Sequence, residues 1–549
     1  MAAVTIAAAR NRLRRTGEYL AWTASYLARN WIFTSALAAG LVLRVFTMLG
    51  FPPAIWFGGD STSYVTSGMT LYPSHSRVSG YGIMTEILRP FQSFAVITGV
   101  QHLMGLISAV LIYALLRHRY RLPAWGATLA ALPVLLDVYV IQLEQEILPD
   151  SAFTFLVVVA LILVLWWPDS ERPRWSLPWA AVCLGVATSF WPVGLPLLIL
   201  LLVYVLVRKF GWRRLGATAL AGAVPLVLYL GWYGARYREL GLSDSDGVFL
   251  WSRTMTFANC QVIKPPADLR PLCPTTPVGK RLAAPMYIWE YNSPLLSIGP
   301  STGPEGTNKF SPQRNSAARK FALDAIEAQP LAYANTVLHS WLLTFTWNRP
   351  NVPNKAMATR YQFTNATTTQ NDLGATTPAA NAADVAALHA MQERYTGGHT
   401  ADTREVQPFA DIMIDYQKVM YLRGTMIGIL MLIGLGGIVW SFRSGGWRRR
   451  GNWGGPALFP WLASLCMEIV PAATADFSLR YVVPTIPVAC LAAALAFARP
   501  LEPADAAAEP AITTAAAQPE TGTTAPARAS QPAETDAAAG RSHQPGRRL

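Results

Sequence analysis

About ten apolar runs, each long enough to cross a hydrocarbon core of roughly 30 Å, alternate with short polar connections along this chain. They lie near 31–50, 93–116, 124–143, 151–167, 176–191, 193–208, 215–234, 420–441, 455–474 and 481–498. This pattern predicts an all-α polytopic membrane protein. Composition agrees: 52% of the residues are hydrophobic and only 14% charged, against about 25% charged in soluble domains. The net charge of +13 does not imply nucleic acid, because the basic residues sit in short loops between the runs. Basic clusters occur at Arg10/Arg12/Arg14/Arg15, Arg117/Arg119/Arg121, Arg172/Arg174, Arg208/Lys209/Arg213/Arg214 and Arg443/Arg448/Arg449/Arg450. All five fall on one side if both termini are cytoplasmic, as the excess of Lys and Arg in cytoplasmic loops requires. The Arg-rich start precedes a full-length anchor and has no signal-peptide cleavage pattern. Trp166, Trp167, Trp175, Trp191, Trp212 and Trp447 cluster at the ends of runs, as an interfacial aromatic belt does.

This topology divides the chain into an N-terminal transmembrane module, 1–234, an extracytoplasmic loop domain, 235–419, C-terminal transmembrane helices, 420–498, and a tail, 499–549. The outward segments are 51–92, the turn 144–150, the turn near Trp191, the loop 235–419 and the turn near Asp476. The long loop is rich in Pro, Asn, Thr and charged residues, and is expected to be a small folded domain of mixed structure. Within it Asn315–Ala328 and Pro330–Phe345 read as amphipathic helices broken by Gln329-Pro330. The stretch 351–404 is polar, and Asn365-Ala-Thr367 matches a glycosylation acceptor pattern short enough to occur by chance. The Ala/Pro/Thr/Glu-rich tail lacks apolar periodicity and reads as a disordered cytoplasmic extension. Cys183, Cys466 and Cys490 lie within runs, where packing accounts for them. Cys260 and Cys273 share the outer loop, where an oxidising compartment permits a disulfide; two free thiols are the alternative.

Chemistry-bearing residues gather on the outward side. Phe57-Gly-Gly-Asp-Ser-Thr-Ser-Tyr-Val65 places the carboxylate of Asp60 beside two glycines just past the first run. Gln142-Leu-Glu-Gln-Glu-Ile-Leu-Pro-Asp150 puts Glu144, Glu146 and Asp150 into a turn too short to form a domain. Asp150 also fits an ordinary helix-start charge, since Pro149 suits a first turn and an acid is favoured there. Glu144 continues the apolar run 135–143, and an acid at membrane depth tends to face a polar cavity. Arg89 at the entrance to the second run, Arg480 at the opening of the last and Arg44 inside the first supply guanidinium groups. Each has snorkelling to headgroups as its simpler explanation; together they offer planar donors suited to a phosphate. Gln101 and His102 are polar inside the second run, and a buried interhelical hydrogen bond is the simpler account of His102.

The order Gly59-Asp60-Ser-x-x-Tyr64, Arg89-Pro90, Gln101 to Tyr113, Leu136 to Phe155 and Arg480-Tyr-Val-Val-Pro-Thr-Ile-Pro487 resembles bacterial GT-C-type glycosyltransferases. The likeness is strongest to family 39-like enzymes with a polyprenyl-phosphate sugar donor, and the segment from Gly247 through Cys260 to Cys273 resembles their actinobacterial members. The resemblance implies a GT-C-like fold and an outward active site in a bacterial plasma membrane, where a sugar passes from polyprenyl phosphate to a lipid, glycan or protein hydroxyl. On that reading Asp60 is the general base, Arg89, Arg480 and Arg44 hold the donor phosphate, and Glu144 and Asp150 orient the acceptor. Whether a divalent cation joins Asp60 and these acids is left open. The acid of the first loop stands alone here, and the second cluster offers three candidates in place of one. The competing reading is a transporter or flippase of lipid-linked glycans. It fits less well because the acids cluster at one face and no internal repeat is evident.

Overall fold

Every one of the ten apolar runs forms helix. In chain order these are α1 (Trp31–Gly50), α4 (Phe94–Ala114, continued by a π turn to Arg119), α5 (Ala124–Leu136) with α6 (Val138–Gln145), and α7 (Asp150–Leu165). They continue as α8 (Ser176–Phe190), α9 (Gly194–Val207), α10 (Trp212–Tyr237), α16 (Gly424–Arg443), α17 (Leu458–Thr474) and α18 (Leu479–Leu495). The intervening helices are α2 (Gly58–Thr70), α3 (Gly80–Leu88), α11 (Asp246–Thr254), α12 (Pro312–Ala328), α13 (Pro330–Leu343), α14 (Pro378–Thr396) and α15 (Phe409–Tyr416). This computed structural model describes residues 28–169, 171–290, 292–299, 308–364, 378–443 and 455–498. Arg10, Arg12, Arg14, Arg15, Arg448, Arg449, Arg450, the Asn365-Ala-Thr367 pattern and the tail 499–549 lie outside the described residues.

By length and composition α1, α4, α10 and α16 can each cross a membrane, and α5 with α6, bent by 45°, makes a fifth crossing if counted as one. The other five apolar helices have 10–17 residues; at about 1.5 Å per residue they fall short of a full hydrocarbon core. The long helices carry the lipid-facing surface: Leu220, Val227 and Leu228 of α10 and Leu432 and Trp440 of α16 are exposed. Soluble monomers rarely leave such ridges bare. At the other extreme, every residue of α18 from Ile486 to Leu495 is buried, so this helix is apolar all round and sits at the centre of the bundle.

The bend between α5 and α6 has a definite cause. Asp137 takes an extended conformation and caps α6, its Oδ1 accepting from the N–H groups of Tyr139 and Val140. The Val138 N–H goes instead to the Met420 carbonyl. The carbonyls of Val134 and Leu135 thereby lose their helical donors, and Arg44 of α1 replaces them. Its Nη1 donates to Leu135 O at 2.9 Å and its Nη2 to Val134 O at 3.0 Å. The Arg44 charge is matched by Glu144 at the far end of α6, at 2.8 Å from both Nε and Nη2. His102 Nδ1 lies 2.8 Å from the same carboxylate. Gly105 of α4 is required here, because a Cβ would stand 1.8 Å from Glu144 Oε1.

The segment 235–419 has its own core, in which Val248 and Trp251 of α11 pack with Leu272, Phe310 and Phe321 of α12. Its predicted helices run Pro312–Ala328 and Pro330–Leu343. No strand forms in it among the described residues, so the mixed structure expected there is helix and irregular chain. Cys260 and Cys273 are disulfide-bonded, and Cys183, Cys466 and Cys490 are free thiols.

Glu144→Ala is expected to cost about 3–5 kcal/mol, because the Arg44 guanidinium would stay buried without its counter-charge. Thermal unfolding of the purified protein in detergent measures this; a midpoint equal to wild type would show that the pair contributes no stability.

Candidate active site

One backbone contact brings two distant acids together. The extended residues before α2 run beside the turn after α6: Ile55 N–H donates to Gln145 O at 2.9 Å and Ile147 N–H to Ile55 O at 3.1 Å. Five residues beyond Ile55 the chain reaches Asp60, and three beyond Ile147 it reaches Asp150. Gly58 has φ +46°, in the left-handed region that costs glycine least, and the chain turns there into α2. Asp60 therefore lies in the first turn of α2, where the helix dipole favours an anion. Asp150 opens α7 in the same way.

Arg480 joins the two acids. It lies in the first turn of α18, and its Nε donates to both oxygens of Asp150 at 2.9 Å. Its Nη1 donates to Asp60 Oδ2 at 2.8 Å. The other oxygen of Asp60 meets Arg77 Nη1 at 2.5 Å. Aromatic rings support both cations: Arg77 lies 5.6 Å from the Tyr64 ring centre and Arg480 5.7 Å from that of Phe57. Phe57 stacks on Tyr361, whose hydroxyl pairs with Ser478, the residue before α18. The side chain of Asp60 is 26% exposed and that of Asp150 only 1%, so of the two acids Asp60 is the one a ligand can reach. Burial pushes the Asp60 carboxyl up, but the Arg77 and Arg480 guanidiniums outweigh it and hold the group below the ordinary carboxylate range.

Three of the six predicted site residues thus converge: Asp60, Asp150 and Arg480. The structure corrects the placement of the other three. Glu144 and Arg44 are buried and spent on each other and on the bend of α5–α6, and Arg89 pairs with Glu86 one turn back on its own helix end, at 3.0 Å. Their place beside the first-loop acid is taken by Arg77, which sequence reasoning missed. Its signal was present, since a basic residue in a stretch read as outward runs against the usual charge bias. His102 bonds Glu144 and Gln145, the buried interhelical role expected of it.

Glu146, the third acid of the turn, is fully buried within the same wall. Gln142 Nε2 donates to its Oε1 at 3.0 Å, while Oε2 has no partner. Gln101 Nε2 donates to the carbonyls of both Glu144 and Glu146, which fixes the turn. Burial pushes the Glu146 carboxyl well above the ordinary range, with Arg480 only partly offsetting it.

Both oxygens of Asp150 and one of Asp60 accept from Arg480, and the other oxygen of Asp60 meets Arg77. Among the described residues no group of three or more His, Cys, Asp or Glu side chains is disposed to hold a metal.

Residues 82–232 match the family described as dolichyl-phosphate-mannose-protein mannosyltransferase, which bears out the resemblance to GT-C-type glycosyltransferases. No curated protein matches the chain. Among solved structures, the apo oligosaccharyltransferase of Archaeoglobus fulgidus matches with 12% identity and a TM-score of 0.36, over 84% of this chain and 50% of that one. The oligosaccharyltransferase AglB of the same organism, in complex with an inhibitory peptide and a dolichol-phosphate, matches with 12% identity and a TM-score of 0.35, over 86% and 50%. The chain spans about half the length of these solved structures, and likeness at this level fixes neither activity nor residue roles.

Glu146 gives a test of the local electrostatics. Unfolded, its carboxyl ionises near ~4.3; folded, it holds its proton to higher pH. The folded state then binds more protons than the unfolded one, so stability falls as pH rises from about 4.3 toward the raised value, by about 1.4 kcal/mol per pH unit at most. Glu146→Gln removes that slope and keeps an acceptor for Gln142. The variant is expected to gain on wild type across that window in thermal melts taken as a function of pH; parallel curves would mean that Glu146 is ionised in the fold.

Proposed function

We propose that this protein is a membrane glycosyltransferase that moves a sugar from a polyprenyl-phosphate donor to an acceptor hydroxyl, at the extracytoplasmic face of a bacterial plasma membrane with both termini cytoplasmic. The observation that carries this reading is the reachable, ionised carboxylate of Asp60 held between two guanidiniums at one end of an apolar bundle. A carboxylate can accept the proton of an attacking hydroxyl, and paired guanidiniums can take up a phosphate. The same few ångströms therefore offer both halves of the chemistry.

In the proposed reaction the donor phosphate draws Arg480 and Arg77 partly away from Asp60. The acceptor oxygen attacks the anomeric carbon, and the bond from that carbon to the phosphate oxygen breaks. Its electron pair goes to the polyprenyl phosphate, whose growing charge Arg480 and Arg77 stabilise. The acceptor proton passes to Asp60. Asp150 never meets substrate; by holding Arg480 Nε with both oxygens it fixes the plane of the guanidinium. It is a positioning residue. The acceptor is a lipid, glycan or protein hydroxyl, and the site geometry favours none of the three.

Asp60→Asn is expected to lower transfer by about 10²–10⁴-fold, the usual contribution of a positioned base, with donor binding retained. Arg77→Gln should raise the donor KM more than it lowers kcat. Both are measured in membranes with radiolabelled polyprenyl-phosphate sugars at matched expression. Near wild-type transfer by Asp60→Asn would remove Asp60 from the chemistry. In liposomes of purified protein, movement of unmodified lipid without product would favour the flippase reading.

A further inference from the structure

A second cationic cluster stands at the other end of α6, and the proposed transfer chemistry does not use it. Arg349 lies 3.3 Å from the ring centre of Tyr139 and 4.2 Å from that of Tyr421. Arg423 lies 4.0 Å from the Tyr421 ring centre and 5.3 Å from that of Trp347. The five side chains alternate as ring, cation, ring, cation, ring. Arg423 donates to the Tyr421 hydroxyl. Arg349 Nε and Nη2 are buried and have no hydrogen-bond partner, and neither has the hydroxyl of Tyr139, a residue only 6% exposed.

The charges do not balance. Asp137 is the acid whose field Arg349 feels, yet its oxygens are taken by the N–H groups of Tyr139, Val140 and Leu422. Among the described residues Arg349 and Arg423 form no ion pair with a carboxylate. Burial pushes Arg349 down to about 9, with Arg423 beside it adding to the effect, so it still carries its charge at neutral pH. Stacking on rings stabilises each cation but satisfies no N–H. Buried donors without acceptors are costly, and more so when charged. Two adjacent cations with three orphaned donors between aromatic walls have the chemistry of a phosphate site.

Location names the source of the phosphate. Arg423 directly precedes α16, one of the four long apolar helices, so it stands where polar chain meets lipid. Trp347, Val419 and Met420 present exposed apolar surface beside it. Tyr139 lies in the first turn of α6 and Glu146 follows its end, about 10 Å along the helix, so the cluster is separate from the Asp60 site. We infer that Arg349 and Arg423, with the Tyr139 hydroxyl, bind the phosphate of a membrane lipid whose tails lie along the Trp347–Met420 surface. This inference does not depend on the transfer reading.

The test is lipid retention by the full-length protein, read by native mass spectrometry. Protein in phosphatidylcholine nanodiscs is titrated with phosphatidylglycerol or, separately, with a polyprenyl phosphate, and released into detergent. Wild type should retain a phosphate lipid; Arg349→Gln/Arg423→Gln should weaken retention at least about tenfold. Arg480→Gln should leave one lipid bound at this site. Tyr139→Phe, which removes only the orphaned hydroxyl, should weaken retention several-fold, and it keeps the test decisive if the double variant fails to fold. Equal retention of both lipids supports a headgroup site for bulk lipid; preference for the polyprenyl phosphate supports a site for isoprenoid lipid. Unchanged retention in Tyr139→Phe and the double variant would overturn the inference. So would its loss in Arg480→Gln alone, or displacement of the lipid by an equal concentration of inorganic phosphate.

Discussion

The guanidinium of Arg480 is the interaction on which the site depends. It bonds an acid 330 residues away in the turn before α7 and another 420 residues away in the first loop. Without it two carboxylates would face each other across a partly buried space, and at least one would be driven to protonate. With it, and with Arg77, two cations stand against the two acids: Asp60 is held below the ordinary carboxylate range, while burial still pushes Asp150 above it despite Arg480. The supports of Arg480 are themselves remote. Asp476, four residues before it, is held by Arg253 of α11 at 3.1 Å, and Arg253 Nη2 also donates to Thr336 O and Ser340 Oγ of α13. On the proposed reading, the segment 235–419 therefore bears on the chemistry by fixing where α18 begins.

The bend at Asp137 is the second organising constraint, and it explains why two predicted site residues are absent from the site. A helix interrupted inside an apolar bundle leaves carbonyls that no water satisfies. Arg44 reaches across from α1 to take them, and Glu144 balances its charge. An arginine and a glutamate at membrane depth are usually read as functional; here the broken helix accounts for both. The break also sets the direction of α6, which carries Tyr139 to one cationic cluster and the turn 144–150 to the other.

The architecture was legible in the sequence because its signal is collective. Apolar runs predicted ten helical segments, and all ten are helical; Gln329-Pro330 marked the break between α12 and α13. Lengths were less legible, since α7 and α9 read as full spans yet form helices of 16 and 14 residues. In the site, Asp60, Asp150 and Arg480 announced themselves by position near the ends of runs. Arg77, in a Ser-rich stretch with no apolar pattern, carried no periodic signal. Nor could periodicity show that Glu144 belongs to Arg44, because pairing across 100 residues is a property of packing.

Set side by side, the two cationic clusters differ in what balances them, and that difference suits them to different tasks. At Arg480 and Arg77 the counter-charges are carboxylates, so an arriving phosphate has to displace an anion that is already there. What it displaces is Asp60, whose proton affinity has been held down by those same guanidiniums. On the proposed reading, donor binding both withdraws positive charge from Asp60 and adds negative charge beside it. Each change moves its pKa upward, toward the range where a carboxylate is an effective base. The base is thus weak while the site is empty and strengthens when a donor is present to be attacked. At Arg349 and Arg423 no carboxylate is ion-paired, because the oxygens of nearby Asp137 are taken by backbone N–H groups, so an arriving anion displaces none. On the inference drawn above, cations stacked on aromatic rings with no reachable carboxylate beside them suit the holding of an anion, with no exposed base to arm.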